Sequence, residues 1–207
     1  MNKNNNYFLS GIGTDIGKTI VAAILVQSLQ GEYWKPIQSG NLDQLDSDVV
    51  KSLTNFNPVI HPEKFLFKTP VSPHLAAEID EKYIDINQLN IPLTNAPLIV
   101  EGAGGLMVPL TTNIYIKDLI KRLELSVILV VKHYLGSINH TLLTIETLKT
   151  FKLQLAGIIF NGDSNKSSEK IIENYSSAPI LGRIPFSEKL SKEFVANEAN
   201  KIRWDLL

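Results

Sequence analysis

The residues best suited to chemistry in this chain stand where short apolar runs end. Residues 11–19 read GIGTDIGKT, between the apolar run Tyr7–Ser10 and a helix-like stretch beginning at Lys18. The glycines are spaced G-x-G-x-x-x-G, one residue longer than a dinucleotide fingerprint, and a Lys-Thr pair follows. A glycine turn that ends in Gly17-Lys18-Thr19 at a helix start is built to cradle phosphates. Its backbone N–H groups and the positive end of the helix face the anion. Lys18 supplies a point charge to the outer phosphates, and the Thr19 hydroxyl suits Mg²⁺. Measured against the usual spacing, the first glycine comes one residue early, so the loop is lengthened.

Two further groups end strand-like runs. Lys35, in Trp34-Lys35-Pro36-Ile37-Gln38-Ser39-Gly40, reads either as a surface lysine or as a second cation on the rim that carries Lys18. Glu101 closes the aliphatic run Leu98–Val100 and is followed by Gly102-Ala103-Gly104-Gly105. It reads either as a turn glutamate or as a magnesium-side carboxylate where phosphates approach backbone. Asp46-Ser47-Asp48 suits a helix start, because Ser and Asp are good N-caps and acids favour a first turn. Asn161 suits a turn, with a base-reading amide as the sharper alternative. His61, His74, His133 and His140 show no metal-ligand spacing.

These groups need a scaffold that brings strand ends together. Helical spacing marks Lys18–Gln30, Ser137–Phe151 and Ser167–Tyr175. Short β-rich runs mark Tyr7–Ser10, Glu32–Ile37 (broken at Pro36), Leu98–Glu101, Val127–Val131, Leu155–Phe160 and Ile180–Ile184. The alternation predicts an α/β fold, a mostly parallel sheet with helices on both faces, in one domain over residues 1–207. Residues 41–96 are less periodic and contain Pro58, Pro62, Pro70, Pro73 and Pro92; they read as crossovers and surface loops around a site, with helix fragments near Asp46–Leu53 and His74–Glu78. Ligands bind such sheets at the carboxyl ends of the strands.

Composition narrows the chemistry. The 207 residues are 44% hydrophobic and 20% charged, with a net charge of −1, so no global basic field is available for nucleic acid or an anionic membrane. The absence of cysteine excludes disulfides, thiolate metal sites and a cysteine nucleophile. The polar start MNKNNN lacks the apolar core of a secretory signal, and the apolar runs are far below the ~20 residues of a spanning helix. A cytoplasmic protein is expected.

Taken together, the ordered residues resemble the dethiobiotin synthetase family of the P-loop NTPase superfamily over nearly the whole chain. The resemblance rests on the loop ending Gly17-Lys18-Thr19, Lys35-Pro36 with Ser39-Gly40, Ser47-Asp48 and Ser72-Pro73-His74. It continues through Glu101-Gly102-Ala103-Gly104-Gly105, Leu135-Gly136-Ser137-Ile138-Asn139-His140, Asn161 and Leu181-Gly182-Arg183-Ile184-Pro185. It implies ATP held by Thr14, Asp15, Ile16, Gly17, Lys18, Thr19, Asp48, Glu101, Gly102, Ala103, Gly104 and Asn161, with Pro185 and Phe186 at the base. It implies Mg²⁺ on Thr19, Asp48 and Glu101, and catalytic lysines Lys18 and Lys35 flanking the transferring phosphate. Ser39 and Thr14 would meet the diamine end of the substrate. Gly136, Ser137 and Asn139 of a second copy would hold its carboxylate, which implies a homodimer sharing its site.

The reaction so implied starts when one amine of 7,8-diaminononanoate takes up CO2 as a carbamate. A carbamate oxygen attacks the γ-phosphate of ATP, and the second amine then attacks the carbonyl and closes the ureido ring as phosphate leaves. The loop departs from the family's usual Gly-Thr-Asp-Thr start at Ile12 and Gly13, which removes a side chain at position 13. Two rivals share the loop. A cobyrinic-acid-type amidoligase needs a glutaminase domain with a cysteine nucleophile, and a partition-type ATPase that binds DNA or membrane carries an additional lysine early in the loop; neither feature is present.

Overall fold

The computed structural model describes residues 5–207; residues 1–4, part of the polar MNKNNN start, lie outside them. The strands are β1 (Tyr7–Gly11), β2 (Glu32–Trp34), β3 (Ile37–Ser39), β4 (Ile60–His61), β5 (Phe65–Phe67), β6 (Leu98–Gly105), β7 (Ser126–Val131), β8 (Leu155–Asn161) and β9 (Ile180–Ile184). The helices are α1 (Lys18–Leu29), α2 (Asp46–Leu53), α3 (Pro73–Ile79), α4 (Ile116–Leu123), α5 (Ser137–Thr150), α6 (Lys166–Ser176) and α7 (Lys192–Ala199).

Seven strands form one parallel sheet in the order β4-β2-β6-β1-β7-β8-β9. Strand β1 is central, so the loop that follows it opens in the middle of the rim. Both faces are covered, and the apolar residues divide accordingly. Tyr7 and Leu9 of β1 join the core beneath α1, α6 and α7, while Phe8 joins a second core with α3 and α4. Burial on both sides explains why β6 and β7 read as continuous aliphatic runs rather than as alternating ones.

Two sequence expectations change. The single strand Glu32–Ile37 is two strands: β2 joins the main sheet, and after Pro36 the chain leaves it to pair β3 with β5 in a separate two-stranded parallel sheet. Proline has no N–H for a ladder, so the break is chemical as well as geometric. Helices α4 and α7 were not anticipated. In α4, Ile116, Leu119, Ile120 and Leu123 are buried at helical spacing; in α7 only Val195, Glu198 and Ala199 are, so its pattern is faint. Among the described residues no helix is long and apolar enough to cross a membrane.

Candidate active site

At the rim, β1 passes into α1 through the glycine loop. Gly17 adopts φ +83°, and a Cβ there would collide with the Asn161 amide, so both conformation and space demand glycine. Gly104, at φ +64°, plays the same part on the facing strand end, where a Cβ would lie 2.7 Å from Val108 Cγ2. Helix α1 begins directly after Gly17 without a side-chain cap. Its first N–H groups are therefore left to a ligand, as phosphate sites use them.

A cavity of about 760 Å³ lies over this loop, within the ~300–1,000 Å³ usual for small-ligand sites. Thr14, Asp15, Gly17, Lys18 and Thr19 line one side, and Lys35, Ser39, Asp46, Glu101, Ala103 and Gly104 line the other. The segment expected to form crossovers and surface loops around a site contributes Pro70, Val71, Ser72 and Pro73 to the cavity lining.

The two lysines converge on this space. Lys18 Nζ donates to Gly13 O at 3.0 Å, folding back over the loop. Burial pulls its ammonium down from the ordinary lysine range to about 8; Glu101 opposes the shift, and the nearby Lys35 charge adds to it. Lys35 is held by Asp46 and, at 3.3 Å, by Glu101 Oε1. Glu101 is only 1% exposed. Its Oε1 also accepts from Thr19 Oγ1 at 3.1 Å, and its Oε2 accepts from the Tyr33 hydroxyl at 2.9 Å. Burial, and then the Glu101 charge, push the Tyr33 phenol well above its ordinary pKa, so it remains a donor.

Thr19 Oγ1 and Glu101 Oε1 are hard oxygen donors placed side by side at the foot of the phosphate loop. That set suits Mg²⁺, which takes one or two carboxylates and completes its shell with phosphate and water. Among the described residues no group of three or more His, Asp or Glu forms a site of the all-protein kind.

The remaining expected residues divide. Ile16 is buried, and its carbonyl accepts from Asn161 Nδ2 at 2.7 Å, so Asn161 braces the loop from β8. Gly102 is packed on Phe8 and does not line the cavity. Asp48 does not line the cavity: it is exposed, and its carboxylate accepts from Leu45 N at 3.1 Å, capping α2. The carboxylate that α2 presents is Asp46, two residues earlier in the same first turn, which sequence reasoning assigned only to helix capping. Pro185 and Phe186, exposed after β9, stand apart from the cavity lining, as do Gly136, Ser137 and Asn139 at the start of α5. Ser39 Oγ and Gln38 Oε1 are enclosed without a hydrogen-bond partner among the described residues.

Next to the main cavity is a smaller hollow of about 400 Å³, lined mainly by Ile12, Gly13, Met107, Val108, Tyr134, His140 and Leu143. Its surroundings are apolar and exposed: Leu135 is fully accessible, and Leu143 and Met107 are more than half so. The space over Gly13, where the sequence lacks a side chain, is faced by the Tyr134 hydroxyl.

Residues 5–194 match the family model described as the AAA domain. The chain is 47% identical over 194 residues to the ATP-dependent dethiobiotin synthetase BioD of Christiangramia forsetii, covering 91% of this chain and 93% of that protein. The protein of the same name from Cytophaga hutchinsonii is 44% identical over 198 residues, covering 95% and 96%. Among solved structures, a putative plasmid partition protein from Borrelia burgdorferi bound to AMPPNP superposes with a TM-score of 0.56 at 12% identity, over 97% of this chain and 96% of that one. The MinC:MinD cell division complex of Aquifex aeolicus gives a TM-score of 0.52 at 14% identity, over 94% and 86%. At such identities the likeness is one of fold.

Proposed function

The chain belongs to the ATP-dependent dethiobiotin synthetase family, and we propose a division of labour in its cavity that carries out the ring closure of that family. It is an ATP-dependent cyclo-ligase of biotin synthesis. The observation that carries the division of labour is the convergence of Lys18, Lys35, Thr19 and Glu101 on one cavity above a phosphate loop.

The Gly11–Thr19 backbone and the α1 N-terminus hold the ATP phosphates, and Asn161 keeps the loop in place from beneath. Lys18 turns from Gly13 O to the outer phosphate, exchanging a carbonyl for an anion. Lys35 faces the same phosphate from the opposite wall, so negative charge that builds up as the γ-phosphoryl group moves to the carbamate oxygen is met from two sides. Thr19 and Glu101 hold Mg²⁺, which when bound neutralises phosphate charge. Asp46 adds a carboxylate within reach of Lys35; Asp48, the expected third ligand, has to give up its cap bond to Leu45 N to take part. No protein nucleophile is required, because the substrate supplies both the attacking oxygen and the second amine. Catalysis then comes from positioning and charge.

Ser39 Oγ has no hydrogen-bond partner among the described residues and suits an amine donor, and Thr14 lines the same cavity. The exposed apolar face around Leu135 and Leu143 suits a second copy of this chain, whose Gly136, Ser137 and Asn139 turn would take the substrate carboxylate. The test is ADP release by the purified protein with ATP, Mg²⁺, bicarbonate and 7,8-diaminononanoate. Release that depends on the diamine is expected; equal release without the diamine would overturn the assignment.

A further inference from the structure

Glu101 is used unequally. One oxygen, Oε1, faces the cavity, with Thr19 Oγ1 at 3.1 Å and Lys35 Nζ at 3.3 Å. The other, Oε2, is turned into the sheet and meets the Tyr33 hydroxyl at 2.9 Å. Tyr33 lies on β2, next to β6, in register with Ile99, two residues before Glu101. It is fully buried in the core beneath α1, and its N–H donates to Val59 O at 3.0 Å on the other side, so both backbone and ring are fixed.

The chemistry of this contact goes beyond packing. A phenylalanine would fill the same volume and leave the apolar core intact. The hydroxyl adds one thing: a donor for a carboxylate oxygen that water cannot reach. Without it, Oε2 is a buried acceptor with nothing to accept, and the carboxylate gains by rotating toward Lys35 or by turning both oxygens to the cavity. With it, the carboxylate plane is fixed and Oε1 stays beside Thr19.

We propose that Tyr33 is a positioning residue: its phenol occupies Glu101 Oε2 so that Oε1 and Thr19 Oγ1 are held ready for the divalent ion. This rests on the reading of Glu101 as a metal ligand. Groups that hold a ligating carboxylate change metal affinity by roughly 10- to 100-fold when removed. The contribution of Tyr33 is to metal capture, with nucleotide binding through the loop backbone untouched.

The experiment uses the full chain with ADP and Mn²⁺, whose electron paramagnetic resonance reports free ion directly. Tyr33→Phe is expected to weaken Mn²⁺ binding to the ADP complex roughly 10-fold. ADP affinity in the presence of a chelator should stay as in the unsubstituted protein. Glu101→Gln serves as the reference. If Glu101→Gln loses Mn²⁺ affinity and Tyr33→Phe does not, the Tyr33 proposal fails while the reading of Glu101 stands. If Glu101→Gln itself keeps full affinity, that reading fails. Should Tyr33→Phe be misfolded by circular dichroism, protein labelled with 3-fluorotyrosine answers the same question. Its Tyr33 fluorine signal, assigned by replacing the other tyrosines with phenylalanine, should move on adding Mg²⁺ to the ADP complex. A signal that ignores Mg²⁺ overturns the proposal.

Discussion

The phosphate end of the cavity and the smaller hollow beside it are built on opposite plans. At the phosphate end, the buried charged groups already have partners inside the chain: Lys18 on Gly13 O, Lys35 on Asp46 and Glu101, and Glu101 on Thr19 and Tyr33. Around the hollow, Leu135, Leu143 and Met107 face solvent. The first is a finished end, its buried charges braced within one chain; the second is an unfinished one, its apolar side chains left to solvent. Charge stabilisation gains most from groups fixed in advance, because no reorganisation is needed as the reaction proceeds. On the proposed reading, recognition of a long substrate is shared with a second subunit, and an exposed apolar face is what such sharing leaves on one copy.

The largest expected effect lies at the finished end. Lys18→Gln and Lys35→Gln should each lower kcat on the order of a thousandfold, since on the proposed division of labour each removes a charge aimed at the moving phosphoryl group. Both variants should keep the far-ultraviolet circular dichroism of the parent. Lys35→Gln also leaves Asp46 and Glu101 facing each other, so it should melt earlier than Lys18→Gln. Turnover within tenfold of the parent in either variant would remove that lysine from the chemistry.

A smaller effect is expected at the unfinished end. Leu143→Glu places a charge on the exposed apolar face beside the hollow at Gly13. Light scattering should report a shift from dimer to monomer. The KM for the diamine should rise about tenfold or more, because one partner-borne contact to a carboxylate is worth ~1.5–3 kcal/mol. ADP affinity should not change. A variant that stays dimeric with the parent's KM would show that this face is not shared.

The same contrast governs what the sequence discloses. The phosphate end is local: a strand, nine residues and a helix start carry the loop, so Gly17, Lys18 and Thr19 announce their chemistry by spacing alone. Glu101 is legible because it ends an apolar run with glycines behind it. Tyr33 is not, since a tyrosine inside a strand reads as core filling and only the distance across β2 and β6 reveals its hydroxyl as a donor. Asp46 and Asp48 illustrate a different limit. Both suit a first helical turn, and which one faces the cavity depends on how α2 docks after the chain leaves the main sheet at Pro36. That residues 41–96 form loops around a site was legible; that residues 70–73 in particular line it was not, because weak periodicity says only that a segment is irregular. Helix α4 could have been found from its buried spacing; α7, where half the apolar residues are alanine and the buried stripe is faint, could not.

The last effect is the smallest and tests whether the finished end carries a cost of its own. Burial lowers Lys18 to about 8 in the free protein. Below that value the ammonium is present, and ATP binds without proton uptake. Above it, the lysine is increasingly neutral, and binding a phosphate has to restore the proton. Nucleotide affinity should then fall, approaching tenfold per pH unit, until the pKa of the complex is reached. Stability moves the other way. The unfolded chain holds the Lys18 proton up to its ordinary value of 10.5, while the folded protein releases it near 8. The unfolded state thus binds more protons in that window, and resistance to unfolding gains from this group as pH rises. Calorimetry of ADP binding from about pH 7 to about pH 9, in buffers of different ionisation enthalpy, should detect net proton uptake that Lys18→Gln abolishes. A flat affinity profile, or uptake that survives the substitution, would mean that the lysine is charged throughout. The phosphate end would then be preorganised without the strain that its burial implies.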